Sequence, residues 1–198
     1  MFKQILFLLL LISAGLSSHA QTTDTLFNKL ADFDLARFND DGLGAMRIGE
    51  GIMKDTAKLT PKTRISFFDR MAKLYEDDEQ DTKALIYYEK VAAAEPNYFV
   101  AQRALGYLYD KAAEEIHLKL YQTKENDPAY PALFTSYKKS VLKALPHLEK
   151  AQACDRDDDT LDLIRTLYQN IHDAEGLNSL HDRLLSLSKN CIDLLADH

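Results

Sequence analysis

The spacing of apolar and small side chains over residues 65–98 constrains the fold of this chain more than any other feature. In the first half of this stretch, a bulky residue is followed by a bulky–small pair and then by an aromatic residue. In the second half, a small residue is followed by an aromatic residue, a β-branched residue and a proline. These positions are Phe68, Met71, Ala72, Tyr75, Ala84, Tyr88, Val91 and Pro96. Because residues three and four apart share one face of a helix, the pattern predicts two amphipathic helices that pack against each other.

The small residues of this pattern have a physical reason. Ala72 and Ala84 are expected where the two helix axes approach most closely, since small side chains allow close packing. The aromatic residues then fill the space beside that contact. Pro96 ends the second helix because proline has no backbone N–H and restricts the residue before it. An ordinary helix pair with aromatic core residues is the alternative interpretation.

A second unit begins at Asn97 but contains a long insertion. Leu118 stands where its second helix should present a small residue, and Ala144 supplies that residue 26 positions later. Apolar seams continue on both sides of the insertion, so both helices are predicted to be longer by about 13 residues, roughly 20 Å. The seams are expected to form the core of this elongated hairpin, with a partner-binding face as the alternative. The packing positions of the unit are Leu105, Gly106, Tyr109, Ala144, Leu148 and Ala151.

The first 20 residues read as a secretory signal peptide. Lys3 supplies the positive start, the apolar run follows, and Ser18–Ala20 is a small-x-small cleavage site. The run is too short to span a bilayer. The expected product is a periplasmic or secreted protein that is not stably inserted in a membrane.

The chain ends are expected to carry weaker copies of the repeat. Residues 21–60 are predicted as a degenerate helix pair, in which Gly49, Met53, Thr56 and Pro61 keep the second-helix spacing. Residues 61–198 should hold the repeats proper, at 65–98, 99–157 and 158–191, followed by a helical C-terminal end. Terminal units face solvent on one side, which explains their poorer match.

Residues 65–98 and the packing positions of the second unit resemble tetratricopeptide-repeat proteins, and the leader makes the chain similar to small exported repeat proteins of Gram-negative bacteria. The resemblance implies an all-α superhelix whose concave groove, lined by first helices, binds a peptide or helix of a partner protein. The asparagines of the family's chaperone-tail clamp are not matched. The groove positions implied for this sequence are Asp69, Arg70, Lys73, Glu76, Arg103, Tyr107, Asp110 and Lys111.

Charge and composition narrow the classes of partner. The formal net charge is -7, and no basic stripe is present, which argues against nucleic acid and against an anionic membrane surface. The charged fraction of 28% argues against disorder. A protein partner is therefore expected, and self-association is left open.

Metal and catalytic patterns are weak. Asp155, Asp157 and Asp159 have the alternate spacing of a calcium loop, but Thr160 replaces its glycine and Thr166 its glutamate. Aspartates before a helix usually cap it, so a cap is the favoured interpretation. The histidines show no metal-ligand pair on one helix face. We therefore expect no bound metal, no cofactor and no enzymatic activity.

The two cysteines allow two readings. An exported compartment favours a Cys154–Cys191 disulfide. The repeat register instead places the two residues on helices whose axes are about 8–10 Å apart, beyond the usual Cα separation of a disulfide. A free Cys154 used as a small apolar residue is the favoured expectation, with the disulfide as the alternative.

These patterns predict a non-enzymatic protein-interaction scaffold in the periplasm, which binds through the groove or the elongated hairpin. A subunit or assembly factor of an outer-membrane or envelope complex is the first alternative. A metal-dependent enzyme that uses residues 155–159 or the histidines is the second.

Overall fold

A computed structural model describes residues 25–193 and residue 195, and over this part of the chain the fold is all-α. The leader predicted at 1–20 lies outside the described residues. Among those that are described, extended backbone pairs in a single parallel bridge between Tyr98 and Ile192. The predicted series of helical hairpins, one of them elongated, is confirmed.

The helices follow one another through short connections. They are α1 (25–38), α2 (Gly42–Ile52), α3 (Pro61–Asp77), α4 (Asp81–Ala94), α5 (Phe99–Gln122), α6 (Tyr130–Cys154), α7 (Asp158–Asn170), α8 (Ala174–Asn178) and α9 (Leu180–Leu187). A short 3-10 helix, Met53–Lys58, follows α2. The chain divides into two compact units, residues 1–64 and 65–198.

One turn conformation recurs in three helix pairs. Asp40, Glu79 and His172 all adopt the left-handed region, with φ of 57°, 57° and 56°. In each turn the next residue donates its backbone N–H to the carbonyl five positions before it, which satisfies the end of the preceding helix. These bonds are Asp41 to Ala36, Gln80 to Tyr75 and Asp173 to Tyr168, at 3.0, 2.8 and 3.0 Å. The backbone thus repeats where the side chains have diverged.

This turn sets the register of the first unit. Asp40 and Glu79 are 39 positions apart. The same offset relates Ala45 to Ala84, and both are fully buried. Phe33, also fully buried, corresponds by the same offset to Ala72 of α3. The first unit therefore packs one small and one large side chain where the next pairs two alanines.

The register predicted for the first unit is consequently wrong by four residues. Gly49 was expected to match Ala84, and Met53 and Thr56 were expected on the same helix. The structure ends α2 at Ile52 and places the next two in the 3-10 helix. Four residues are close to one helical turn, so the slip leaves nearly the same face buried and periodicity alone does not reveal it.

The helix pair α3–α4 packs through its aromatic residues. Tyr87 lies with its ring centroid 5.5 Å from Phe68 and 5.7 Å from Tyr75. Phe67, rather than Phe68, is the fully buried side chain; Phe68 and Tyr109 are half-buried. Pro96 is exposed. The other predicted packing positions are buried, namely Met71, Ala72, Tyr75, Ala84, Tyr88, Val91, Leu105, Gly106, Ala144, Leu148 and Ala151.

The elongated hairpin consists of α5 and α6, joined by the loop at 123–129. Gly106 packs on Leu148, one turn along α6 from the predicted partner Ala144. Pro146 lies inside α6, where a proline could begin a new helix, but one helix runs from Tyr130 to Cys154. The half-buried Ile116 and buried Leu120 pack in the expected seam.

The hairpin core is shared with the last unit, which the seam interpretation did not include. Asn170, at the end of α7, donates a hydrogen bond to the Tyr137 hydroxyl at 3.2 Å. His172 stacks on Phe134, with ring centroids 5.6 Å apart. Since α7 starts at the base of the hairpin, it supports α6 over much of its outer half.

The last unit differs from expectation at its end. Its second helix is divided into α8 and α9, and Leu180 is buried while the adjacent His181 is exposed. The predicted helical C-terminal end is also wrong over residues 188–193, because α9 ends at Leu187. Residues 188–193 then return to the start of α5, where Ile192 exchanges backbone hydrogen bonds with residues 97 and 99.

Candidate interaction surface on the repeat helices

The predicted groove residues of α3 are engaged within the protein. Asp69 accepts a hydrogen bond from the Tyr98 hydroxyl at 3.2 Å. Glu76 accepts one from the Tyr88 hydroxyl at 2.8 Å. Burial and the Glu76 carboxylate raise the pKa of Tyr88, so this phenol stays protonated and keeps donating. Both carboxylates therefore join neighbouring helices.

Lys73 and Arg70 complete the α3 set. The Lys73 ammonium lies 2.6 Å from Asp77 and 3.6 Å from Glu76, on its own helix. The hydrogen bond to Asp77 raises the pKa of Lys73. Arg70 is half-buried. Surface pairs of this kind contribute little to stability and open readily to a ligand.

Arg103 holds the start of the last unit. Its guanidinium lies 2.9 Å from the Asp155 carboxylate and donates to the Asp155 carbonyl at 2.9 Å. It also lies over the Phe99 ring, at 5.7 Å. Two of its donors are thereby committed, which leaves Arg103 less available to a ligand carboxylate than predicted.

Tyr107 and Asp110 lie on the side of α5 that faces α7. The Tyr107 hydroxyl is 2.7 Å from the Thr160 hydroxyl, so the two first helices are directly linked. Burial, with a contribution from Glu114, raises the pKa of the Asp110 carboxyl. The Tyr107 hydroxyl is therefore engaged within the protein.

Lys111 lies on the other flank, towards α4. Its ammonium is 2.6 Å from the Asp81 carboxylate, and that contact raises the pKa of Lys111. The pair borders a cleft of about 570 Å³ between α4 and α5, whose lining includes Leu108 and Glu115. The predicted groove set is thus divided between two sides of α5.

An outward face of α5 includes Tyr107 and Lys111 and continues along the helix beyond them. Helical spacing aligns Tyr107, Lys111, Glu114, Leu118 and Tyr121, which we call the α5 outer face. Its exposed fractions reach 54% at Leu118 and 87% at Tyr121. The opposite side of α5 is buried against α6. Sequence reasoning missed Leu118 and Tyr121 as candidate binding residues. It had treated Leu118 only as a departure from the small residue expected at that repeat position.

The aspartates proposed as a calcium loop have structural partners. Asp157 caps α7, accepting from the Thr160 backbone N–H at 2.9 Å and its hydroxyl at 2.5 Å. These bonds lower the pKa of Asp157. Asp155 pairs with Arg103. Over the described part of the chain, no group of three potential ligands is placed to hold a metal ion.

The cysteines form a disulfide, so the favoured expectation of a free Cys154 was wrong. The Cα atoms of Cys154 and Cys191 are 5.5 Å apart. The expectation assumed that Cys191 lay on a continued helix. Because α9 ends at Leu187, the following residues can turn back to the end of α6. Two cysteines in a chain with an export leader already indicated a disulfide. The prediction failed because it extended the helical register through Cys191.

A buried ionic cluster joins the last helix to α6. Glu149, 4% exposed, accepts hydrogen bonds from Tyr168 at 2.5 Å and from Arg183 at 2.7 and 2.9 Å. Arg183 also lies over the Tyr168 ring, at 5.2 Å. Charged residues rarely lie so deep unless paired. The cluster therefore fixes α9 on the hairpin rather than serving an exposed surface.

The fold and surface define an all-α helical-hairpin protein. In the described residues, no helix combines the length and apolarity needed to cross a membrane. No protein-family model and no curated protein matches the chain. Among solved structures it is similar to one described as the crystal structure of MamA protein, with 15% identity and a TM-score of 0.40, covering 83% of this chain and 92% of that one. Similarity at this level does not assign the chain to a family.

Proposed function

We propose that this protein is a non-enzymatic, tetratricopeptide-like interaction scaffold that binds a partner protein through the α5 outer face. The observation that carries the proposal is the exposure of Tyr121 and Leu118 on a helix whose opposite side is buried. Tyrosine is enriched among the residues that anchor protein interfaces, and the exposed Leu118 extends the apolar surface beside Tyr121. The α3 groove positions offer no comparable apolar anchor, because all four are charged, and Asp69 and Glu76 accept hydrogen bonds from Tyr98 and Tyr88.

The arrangement of the outer face favours a partner segment with both apolar and charged side chains. Leu118 and Tyr121 supply apolar contacts, while Lys111 and Glu114 lie between them and Tyr107. An amphipathic helix that presents anchors at successive turns has the periodicity to match such a face. The polar residues would then set its orientation and register.

The compartment proposed for the protein is the periplasm or the extracellular space. Disulfides persist in oxidising compartments and are rare in the cytosol. The Cys154–Cys191 bond and the leader pattern at the N-terminus support the same location. Fractionation of cells that express the full chain tests this directly, because recovery in the cytosol would contradict it.

The binding proposal is tested with a photo-crosslinking residue placed at Tyr121 in the native envelope, followed by purification of the captured protein. Affinity for that protein is then measured for Tyr121→Ala, Leu118→Ala and the control Ile86→Ala. Ile86 is an exposed apolar residue on α4, a helix that contributes no residue to the outer face. We expect at least about tenfold weaker binding for the first two variants, the loss typical of an anchor residue.

Two results would contradict the proposal. Equal affinity of all three variants would remove the outer face from the interface. Equal loss in all three would indicate a general apolar surface rather than this face. Circular dichroism of each variant shows whether the helices are retained.

A further inference from the structure

The C-terminal segment, residues 188–193, is held against the base of the elongated hairpin by three kinds of contact. Cys191 is bonded covalently to Cys154, the last residue of α6. The Ile192 N–H donates to the Asn97 carbonyl at 2.9 Å, and the Phe99 N–H donates to the Ile192 carbonyl at 3.1 Å. The segment therefore turns at residues 188–190 and then meets the chain that enters α5 through one parallel bridge, between Ile192 and Tyr98.

A buried lysine receives the same segment. Lys150 is 7% exposed, and its ammonium donates to the Leu187 and Asn190 carbonyls at 2.9 and 2.7 Å. Lys150 and Cys154 are one turn apart on α6, so both reach the segment from one helix face. Lys150 thus holds the end of α9 and the turn that follows it, and residues 97–99 pair with Ile192; together they form a seat for the segment, which we call the strand seat.

The Cys154–Cys191 disulfide is the contact that a thiol can break by disulfide exchange. Cys191 is exposed and Cys154 half-buried, so an attacking thiolate reaches the Cys191 sulfur more easily. Attack there forms a mixed disulfide with Cys191 and releases Cys154, which takes up a proton. The second thiol of a dithiol reductant then displaces Cys191. The reductant is oxidised to its disulfide, and two electrons and two protons pass to the two protein thiols.

The contacts left after reduction are ones that water can replace. The backbone and lysine hydrogen bonds of an exposed segment exchange for bonds to solvent with little net change. The disulfide keeps the segment at high effective concentration beside its seat, and that advantage falls once the bond is cleaved. Release also returns the Phe99 N–H to the set of unpaired donors at the start of α5.

We propose that residues 188–193 are a redox-controlled latch on the strand seat, and that a dithiol opens it so that the seat accepts a peptide in place of this segment. Such a peptide would pair with residues 97–99, place an apolar side chain where Ile192 lies and present carbonyls to Lys150. This goes beyond the proposed function, since the seat lies at the opposite end of α5 from Tyr121, about 33 Å along the helix.

The first test compares amide hydrogen exchange in the oxidised full chain and in the chain reduced with dithiothreitol. We expect the Ile192 and Phe99 amides to exchange at least about tenfold faster after reduction, with the amide of Leu148 in α6 unchanged. The Cys154→Ser/Cys191→Ser variant should show the same increase without reductant. Unchanged protection at Ile192 in both would overturn the latch.

The second test uses a synthetic peptide that covers residues 186–195, with serine in place of Cys191. We expect it to shift the amide resonances of Phe99 in the reduced chain and to leave the oxidised chain unaffected. No shift in the reduced chain would overturn the seat as a peptide site. Ile192→Pro keeps the disulfide but removes the donated N–H, so it should expose Phe99 without reduction if the variant with two serines does not fold.

Exchange of the segment between two copies is a distinct outcome. Reduced protein that becomes dimeric in sedimentation while Ile192 stays protected would show exchange rather than release, and would overturn the latch. A failure of this kind leaves the α5 outer face untouched, because that surface is tested by Tyr121 and Leu118 variants in the oxidised protein.

Discussion

Gly106 of α5 lies so close to Leu148 of α6 that a methyl group on the glycine would stand 2.6 Å from Leu148 Cδ2 and 3.0 Å from its backbone nitrogen. The side chain of Leu148 can move, but its backbone nitrogen belongs to a buried helix. We therefore expect Gly106→Ala to destabilise the protein by about 1–2 kcal/mol, because overpacking exceeds the gain in helix propensity. Urea unfolding followed by circular dichroism measures this.

Gly51 is the matched control for this prediction. It lies within α2, and a methyl group there would meet nothing within 4 Å. Gly51→Ala should stabilise its unit by about 0.5–1 kcal/mol through helix propensity alone. If both alanine variants gained stability, the close approach of α5 and α6 at Gly106 would be contradicted.

The left-handed turn residue Glu79 gives a second prediction. Its φ of 57° is unfavourable for a residue with a side chain and free of cost for glycine. Glu79→Gly should raise stability by about 0.5 kcal/mol, and Glu79→Val should lower it by about 1 kcal/mol or more. Ala93→Gly, on the exposed side of α4, should instead lose about 0.5–1 kcal/mol. Thermal midpoints that fell equally for both glycine variants would refute the turn conformation.

The Glu149–Arg183 pair gives a third prediction. Arg183→Ala leaves the Glu149 carboxylate, buried on α6, without its cation. The cost should be about 2–3 kcal/mol, below the range for fully buried pairs because the Arg183 side chain is 32% exposed. Arg165→Ala is the control, since Arg165 pairs with Asp162 on the surface and should cost under about 1 kcal/mol. Equal effects in urea unfolding would show that the cluster is not a fixed contact.

His147 gives a prediction about pH. Burial lowers its pKa, against a smaller opposite influence of Glu89. The unfolded chain therefore binds a proton at higher pH than the folded protein. Stability from the neutral ring is complete above about pH 6.5 and is lost as pH falls from there through the lowered folded pKa. Urea midpoints should fall from pH 7 to pH 5, and less so in His147→Gln.

The exposed His181 provides the control for the pH prediction. His181→Gln should leave the pH dependence of the wild type unchanged. If the fall of the urea midpoint with pH persisted in His147→Gln but vanished in His181→Gln, the effect would belong to His181 and the prediction would be contradicted. The Nδ1 atom of His147 also lies 2.5 Å from Gln102 Oε1, and its ring stacks on Tyr109. Because a substitution removes these contacts at every pH, the urea midpoint of each variant at pH 7 serves as its own reference.

The contacts that sequence spacing predicted well are local ones. Ala72 and Ala84 are both buried, and their helices pack as a pair. The long insertion also forms the elongated hairpin, because apolar seams three and four residues apart are visible in any single helix. The register of the first unit was predicted less well, since a slip of one turn preserves the face on which Ala45 lies.

Contacts between distant segments were not visible in the same way. The Tyr107–Thr160 and Arg103–Asp155 contacts join residues 53 and 52 positions apart. The sequence showed each residue as polar or acidic at a helix face, without its partner. The α5 outer face became a candidate only when the structure showed which side of α5 the neighbouring helices leave open.

The sequence by itself determined the helices, their pairing and the elongated hairpin, because each depends on periodicity within a short stretch of chain. Only the tertiary structure decided that α9 stops at Leu187 and that Cys191 meets Cys154. That return depends on where a segment finds unpaired backbone groups and a buried lysine, and these belong to residues 97–99 and Lys150, far away along the chain. Such closures are set by packing in three dimensions, for which linear spacing carries no signal.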